Sequence, residues 1–235
     1  MRVTALVCLA VTTAAAPLVA QNYREVPDRA VPKMLVGINL QAAFPEGEFA
    51  DFVGTGFGIG GNFTVMLDQG RRLGLRLYGS WIEYGRTTEQ VPFPGLPGIS
   101  VDLTTANDIY SFGVGPELHL GTGAFRPYLH GAIGLSNFVT TTSASGSSNS
   151  NPFARTTNFN DWTAAFYGGG GLLFQVSSGR NPVWIDGGVR YQTHGETHYL
   201  REGSIKTDQS GNVIVQPVQS KTDILVVNLG VQVGI

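Results

Sequence analysis

Three residues that could bind a metal ion or transfer protons lie close together in the sequence, at His194, Glu196 and His198. If the chain is extended there, alternate side chains point to the same side, so the three residues would share one face. Imidazole nitrogens and a carboxylate on one face could hold a zinc ion or act as a general acid–base pair. Polar residues at the end of a strand are, however, more often simply solvated. We therefore keep the trio as a candidate metal or catalytic site and predict neither a bound metal nor a cofactor.

A second set of ionisable residues belongs to segments in which polar and apolar residues alternate. These residues would all lie inside a barrel built from those segments: Arg76, Glu117, His119, His130, Asp186 and Arg190. Arg76 and Glu117 fall on neighbouring segments, whereas Asp186 and Arg190 share one face of another. Eight strands leave an interior only wide enough for side chains, and buried charges must be paired and hydrogen-bonded. We expect a polar network that fills the barrel; the alternative is a gated path for small solutes.

Other chemical motifs lack the context that they require. Residues 56–61 match the G-x-G-x-x-G pattern of dinucleotide-binding proteins, but no helical pattern follows them. Glu117 and Asp186 fall on distant segments, which does not suit the paired carboxylates of a glycosidase. The one cysteine, Cys8, lies in a predicted export signal, so the exported chain would have no thiolate nucleophile. These observations predict that the chain is not an enzyme; a membrane-embedded hydrolase using the loop histidines stays as an alternative.

The elements that must position these residues are β-strands. Apolar and polar residues alternate with a period of two in eight separate segments, as half-buried strands require. The segments are residues 33–43, 54–67, 72–84, 109–120, 126–138, 161–176, 183–194 and 222–235. In the last segment, for example, Leu229 and Val231 alternate with Gly230 and Gln232. Each segment can supply the roughly 9–11 residues that a tilted strand needs to cross a bilayer.

The connections between these segments alternate in length. Three are short and contain glycine, at residues 68–71, 121–125 and 177–181, and they are typical of hairpin turns. Four are long, at residues 44–53, 86–108, 139–160 and 195–221. Residues 140–151 are almost all small and polar, and we expect them to lack regular structure. Strict alternation of short and long connections is typical of outer-membrane barrels, with turns in the periplasm and loops outside.

The polarity of the two strand faces indicates which face is outside. The apolar faces carry almost no charge, and the polar faces are rich in glycine and small residues that suit a crowded interior. Trp81, Tyr110, Trp162 and Tyr191 would lie on the outer face near the long connections, as an aromatic girdle at a membrane interface does. A soluble secreted barrel of the lipocalin type is the structural alternative, but it would hide its apolar face and expose many charges.

The N-terminus and the composition indicate where the chain is located and which partners it can have. Residues 1–20 combine Arg2, an apolar stretch and a small residue at Ala20, which predicts a cleaved secretory signal. We assign residues 21–32 to an N-terminal periplasmic segment and residues 33–235 to a single barrel domain. Only 14% of the residues are charged, and without Arg2 there are 14 basic and 17 acidic residues, a net charge of 14 − 17 = −3. This balance excludes a basic surface for nucleic acid.

Strand number, alternation and loop asymmetry together resemble the small outer-membrane barrels of the OmpA/OmpX type. The resemblance covers residues 33–235 and implies an all-β fold, an eight-stranded antiparallel up-and-down transmembrane β-barrel in the bacterial outer membrane. It implies outer-membrane lipids and the outer-membrane assembly machinery as partners, and external loops that could contact an extracellular ligand. The predicted role is non-enzymatic, either structural or in surface interaction. A narrow channel or carrier for small or apolar solutes and a soluble lipocalin-like binding barrel are the alternatives.

Overall fold

The computed structural model describes residues 32–92, 100–146, 149–200, 204–207 and 213–235. Eight of the strands in these residues close into an antiparallel barrel: β1 Met34–Glu46, β2 Gly56–Met66, β3 Leu73–Pro92, β4 Ser100–His119, β5 Phe125–Gly146, β6 Asn149–Ser177, β7 Val183–His194 and β12 Asp223–Gly234. Each barrel strand pairs with its neighbour along the chain, and β1 pairs with β12 to complete the ring. The predicted eight-stranded up-and-down barrel is confirmed.

Smaller elements complete the described chain. The connection between β7 and β12 contains β8 Glu196–Tyr199, which pairs with β11 Val218–Lys221, and β9 Ile205–Thr207, which pairs with β10 Val213–Val215. A 3-10 helix, Gly47–Asp51, follows β1. Among the described residues, no helix has both the length and the hydropathy needed to cross a membrane. The predicted export signal, and the segment 21–32 apart from Pro32, lie outside the described residues.

Three short turns lie at one end of the barrel, which we call the lower end, together with the paired ends of β1 and β12. The turn between β2 and β3 is closed by Asp68, whose carboxylate accepts hydrogen bonds of 2.8 Å from the backbone N–H groups of Arg72 and Leu73. These bonds hold Arg71 in the left-handed region, at φ 53°. The bond from Leu73, with that from Arg72, keeps the pKa of the Asp68 carboxyl below its ordinary value of 3.8, because a bonded carboxylate is favoured over the protonated acid.

The pKa of Asp68 leads to a pH-dependent prediction. A depressed carboxyl pKa stabilises the folded state above the unfolded-state pKa, and this stabilisation is lost as the pH falls through the folded-state value. Asp68→Asn removes the charge but keeps the side-chain shape. We expect the wild type to be more stable than the variant above about pH 4, the ordinary carboxyl range, and the difference to disappear in more acidic solution. Urea unfolding between pH 3 and pH 7 measures it, and a constant difference across that range would contradict the prediction.

Four strands continue well beyond the barrel at the opposite, upper end. Long loops are predicted at residues 86–108 and 139–160, but residues 86–92, 100–108, 139–146 and 149–160 are strand. The prediction that residues 140–151 lack regular structure is therefore wrong for the described residues 140–146 and 149–151. The reason is threonine, a β-branched residue that suits pleated strands and pairs across them. Thr88 lies 2.9 Å from Thr104, and Thr105 lies 2.9 Å from Thr142, hydroxyl to hydroxyl. We call residues 85–92, 100–107, 139–146 and 149–160 the protruding sheet.

The outer wall of the barrel is apolar and uncharged. Alternate residues of the eight strands point outward, and many large ones are exposed, as Leu229 is at 63%. This apolar belt contains leucine, isoleucine, valine, phenylalanine and glycine, and none of its outward positions between the turns and the aromatic girdle is charged. Outward charges resume directly above the girdle, at Glu83 two residues after Trp81 and at Asp108 two residues before Tyr110. The predicted facing of the strands is therefore correct.

Candidate functional site

The six polar residues predicted for the barrel interior lie in three groups, of which the first two share Tyr128. The first group joins β3, β4 and β5. Arg76 forms a buried ion pair with Glu117, whose other carboxylate oxygen lies 2.8 Å from His119 Nε2. The Arg76 guanidinium also lies over the ring of Tyr128, at 5.5 Å from its centroid. Tyr128 in turn stacks against His130, with centroids 6.1 Å apart.

The second group surrounds Asp186 of β7. Its two carboxylate oxygens accept hydrogen bonds from the Tyr128 hydroxyl, at 2.8 Å, and from Gln232 Nε2, at 2.9 Å. Sequence reasoning had assigned an arginine as the neighbour of Asp186. In the structure this carboxylate instead accepts hydrogen bonds from two uncharged donors. Arg190 lies four residues further along the same strand and bonds a different partner.

The third group is built around Arg190. Its Nη2 donates a hydrogen bond to the Tyr78 hydroxyl, and its guanidinium lies 3.9 Å from the centroid of the same ring. Tyr78 donates to Ser80 and packs against Tyr167, with ring centroids 5.6 Å apart. Arg190 therefore has a neutral phenol where an ion pair would provide a carboxylate.

An upper apolar cluster closes the interior at the end that carries the protruding sheet. It contains Ala43, Phe49, Ile82, Tyr84, Ile109, Phe138, Tyr199, Ile224 and Val226. Phe49 comes from the 3-10 helix, where Gly47 adopts φ +59° and so allows the chain to fold back over the barrel mouth. Its ring is fully buried and meets Tyr199 edge-on at 5.0 Å between centroids. The upper mouth of the barrel is thus filled with packed rings.

A lower apolar cluster closes the other end. It consists of Leu35, Met66, Tyr128, Leu173 and Trp184. Trp184 is fully buried, and Arg126 covers it with its guanidinium 4.6 Å from the ring centroid. Polar groups in the middle and apolar clusters at both ends describe a filled interior, which does not favour a channel or carrier.

The structure does not assemble the candidate trio near residue 194. His194 is buried in the interior, where its Nδ1 contacts the Thr222 carbonyl and its Nε2 lies 3.0 Å from the Ser136 hydroxyl. Glu196 and His198 point outward, and the His198 side chain is 48% exposed. The prediction that the three residues share one face was wrong. β7 ends at His194 and Gly195 belongs to no strand, so the alternation of inward and outward side chains starts anew in β8. No group of three or more His, Cys, Asp or Glu in the described residues could hold a metal ion.

The contact between His194 and Ser136 has the residue types of a nucleophile and its base, but not their setting. Ser136 is completely buried, and its hydroxyl is shared with Ser111 at 2.9 Å and with Tyr167 at 3.3 Å. A catalytic serine must be reachable by substrate. This contact is therefore part of the packed interior.

Sequence reasoning missed the roles of two inward tyrosines. Tyr128 links the first two polar groups, and Tyr78, although its segment places it inside the barrel, was not predicted as the partner of Arg190. A search for large aromatic residues on the polar faces would have found both. Phe49 gave a weaker signal, as a single ring between Glu48 and Asp51 in a predicted loop.

The fold and interior define a closed eight-stranded antiparallel barrel with a polar centre and an apolar exterior. No family model matches the chain. No curated protein sequence matches it either.

Three solved structures to which the chain is similar can be given. Neisserial surface protein A, NspA, has a TM-score of 0.47 and 16% identity over 86% of this chain and 97% of that one. Ail, the attachment invasion locus protein of Yersinia pestis, has a TM-score of 0.44 and 13% identity, over 86% and 97%. The outer membrane protein OprG from Pseudomonas aeruginosa has a TM-score of 0.40 and 13% identity, over 87% and 96%. These values assign no function to the chain.

Proposed function

We propose that this chain is a non-enzymatic barrel of the bacterial outer membrane that presents the protruding sheet to the cell exterior as an interaction surface. The proposal rests mainly on a change in the polarity of the outward residues along continuous strands. The same four strands are uncharged and apolar outside over the barrel, then polar and rich in threonine above the aromatic girdle.

The apolar belt supports the membrane location. Soluble proteins rarely expose a large continuous apolar surface, and lipid is the solvent that such a surface requires. Along the last strand the belt runs from Leu225 of β12 to Ile235, directly after β12, and at a strand tilt near 45° this covers about 25 Å of bilayer. A lipocalin-like barrel is not favoured, because its apolar face would line the interior, whereas here Arg76, Glu117 and Asp186 do so.

The two edges of the protruding sheet support the interaction role. Within the described residues, pairing of β3 with β2 ends at Glu83, and pairing of β6 with β7 ends at Ala165. Beyond these points no described strand forms a ladder with either outer strand, and the β6 edge is contacted only near the girdle, where Gly195 N–H bonds the Ala164 carbonyl and His198 N–H bonds the Asp161 carboxylate. Residues 153–157 of β6 are exposed and include Phe153 at 62%. Free strand edges present backbone donors and acceptors that can pair with an extended polypeptide, so we expect a partner of that class.

The membrane orientation can be tested with two single-cysteine variants. Thr156→Cys places a thiol on the exposed part of β6, and Thr122→Cys places one in the exposed turn between β4 and β5. A maleimide that cannot cross membranes should label Thr156→Cys on intact cells, and Thr122→Cys only after the outer membrane is permeabilised. The unmodified protein, whose one cysteine is Cys8, serves as the control. Equal labelling of both variants on intact cells would contradict the orientation.

The interaction role can be tested with a shortened sheet. Thr142 and Thr156 pair directly, so an Asn-Gly turn can replace residues 143–155 without disturbing the barrel. We expect this variant to keep the difference in gel mobility between unheated and boiled samples that marks a folded barrel. Random displayed peptides selected against the intact barrel in lipid nanodiscs, and then depleted on the shortened variant of those that pair with the remaining β3 edge, should bind the shortened variant at least about tenfold more weakly, a difference of about 1.4 kcal/mol. Failure to obtain any peptide that distinguishes the two forms would contradict the proposed surface at β6.

A further inference from the structure

Arg190 is a buried cation without an anionic partner. Its side chain lies in the barrel interior, and the residue is 3% exposed. Within the described residues no carboxylate oxygen lies within 4.0 Å of its guanidinium. Its Nη2 donates to the Tyr78 hydroxyl, but its Nε, which is also buried, has no hydrogen-bond partner among the described residues. A buried ion normally requires both a counter-charge and satisfied hydrogen bonds.

The nearest carboxylate on the same strand does not supply this counter-charge. Asp186 precedes Arg190 by four residues, roughly 13 Å along an extended strand. Its oxygens are already bonded to Tyr128 and Gln232. Glu117 is likewise occupied by Arg76 and His119. The positive charge of Arg190 is thus left without compensation by the protein groups bonded to it.

The strand register places a second donor opposite Arg190. Gly169 of β6 pairs with Arg190 on one side and with His130 of β5 on the other, so no side chain separates the two residues. His130 Nε2 reaches over Gly169, lying 3.1 Å from where a Cβ on that glycine would be. Unlike Arg190, His130 keeps part of its surface accessible inside the barrel. The imidazole and the guanidinium therefore flank one point of the interior.

Arg76 adds to the positive potential at this point. It lies within electrostatic range of both His130 and Arg190, and its own Nε is buried without a hydrogen-bond partner in the described part of the chain. Its ion pair with Glu117 uses Nη1 and leaves the Nε edge of the guanidinium unused. Arg76 and Arg190 thus each keep one buried guanidinium N–H without an acceptor among the described residues, and His130 lies within electrostatic range of both arginines.

We propose that the barrel interior binds one small monovalent anion, of the size of chloride, between the guanidinium of Arg190 and the imidazole of His130. The charge of Arg190 sets the valence of the ion. The ring of Tyr78 lies against the Arg190 guanidinium and the ring of Tyr128 against His130, so a small ion suits the space between them better than a larger oxyanion does. The anion supplies the acceptor that Nε of Arg190 lacks.

Chloride should therefore stabilise the folded barrel specifically. The refolded protein in detergent micelles is unfolded with urea at constant ionic strength while sodium chloride replaces sodium gluconate. An anion that binds only the folded state lowers the unfolding equilibrium constant in proportion to its concentration once that exceeds the dissociation constant. We expect up to a tenfold decrease for each tenfold increase in chloride. Unfolding that does not depend on the chloride fraction would overturn the proposal.

Two variants and one direct measurement complete the test. Arg190→Gln should abolish the chloride dependence. Arg126→Gln, which removes an equally buried guanidinium from the lower end of the barrel, should keep it. Chloride dependence that persists in Arg190→Gln would overturn the assignment to this residue. If Arg190→Gln does not fold, crystals of the wild type grown in bromide decide the matter, since an anomalous peak between Arg190 and His130 is expected and its absence would refute the site.

Discussion

Leu229→Arg should lower the free energy of unfolding by about 2–4 kcal/mol, the cost of an arginine at the middle of a lipid-facing barrel wall. Leu229 lies on the outer face of β12, and its neighbours across the strands are Leu40 and Gly187. Five residues lie between it and Asp223 and four between it and Gly234, so Leu229 is near the middle of β12 and of the apolar belt. The guanidinium would have to remain in hydrocarbon or draw lipid headgroups and water toward it.

The control for this substitution is Leu120→Arg. Leu120 is exposed to a similar degree, 58% against 63%, but follows the last residue of β4 at the lower end of the barrel. An arginine near the interface can reach the headgroups, and its expected cost is about 0–1 kcal/mol. Urea titration in phospholipid vesicles measures both variants. Equal costs for the two positions would mean that the outer wall does not face a bilayer.

Glu117→Met should be at least as harmful, with an expected loss of about 3–5 kcal/mol. Glu117 is almost completely buried and holds both Arg76 and His119. Removing its charge leaves the Arg76 guanidinium in the interior without an anion. The cost arises from the stranded cation rather than from the pair, because a buried ion pair contributes little net stability once both charges have lost their water.

The double variant Arg76→Met/Glu117→Met separates these two contributions. Two methionines fill a volume similar to that of the ion pair and bring no charge into the interior, so most of the lost stability should return. Urea unfolding of the wild type, both single variants and the double variant gives the coupling free energy between the residues. A double variant as unstable as Glu117→Met alone would show that packing rather than charge determines the loss.

The alternation of the strands made most of the barrel predictable. Alternation with a period of two determines which residues of a strand share a face. When only one of the two faces is apolar, the strand can be oriented in the barrel wall in only one way. Leu229, Trp162 and Arg76 therefore lie on the sides that the pattern predicted. The neighbours of Arg76 could also be predicted, because consecutive strands of an up-and-down barrel pair with one another.

Three features could not be predicted from the alternation of polar and apolar residues, because they depend on which groups pair or on where a strand ends. Residues 140–146, which are small and polar, bury little apolar surface and resemble a loop, but they pair with strands on both sides. His194, Glu196 and His198 were placed on one face because Gly195 was counted as part of a continuous strand. The partner of Arg190 is Tyr78 rather than Asp186. The alternation of polar and apolar residues does not predict which of two inward side chains Arg190 will bond.

The continuity of β3 to β6 from the barrel into the protruding sheet has a mechanical consequence. The four strands cross the girdle as continuous strands, with register shifts between Glu83 and Gly85 and, just above the girdle, between Thr140 and Thr141. A pull on the tip of the sheet along the strand direction reaches the barrel as shear, because the hydrogen bonds of an antiparallel ladder lie perpendicular to the strands. All rungs then carry the load together instead of opening one after another. The sheet, which extends roughly 25 Å along the strand direction over residues 139–146, can therefore bear tension as a stiff extension of its membrane anchor.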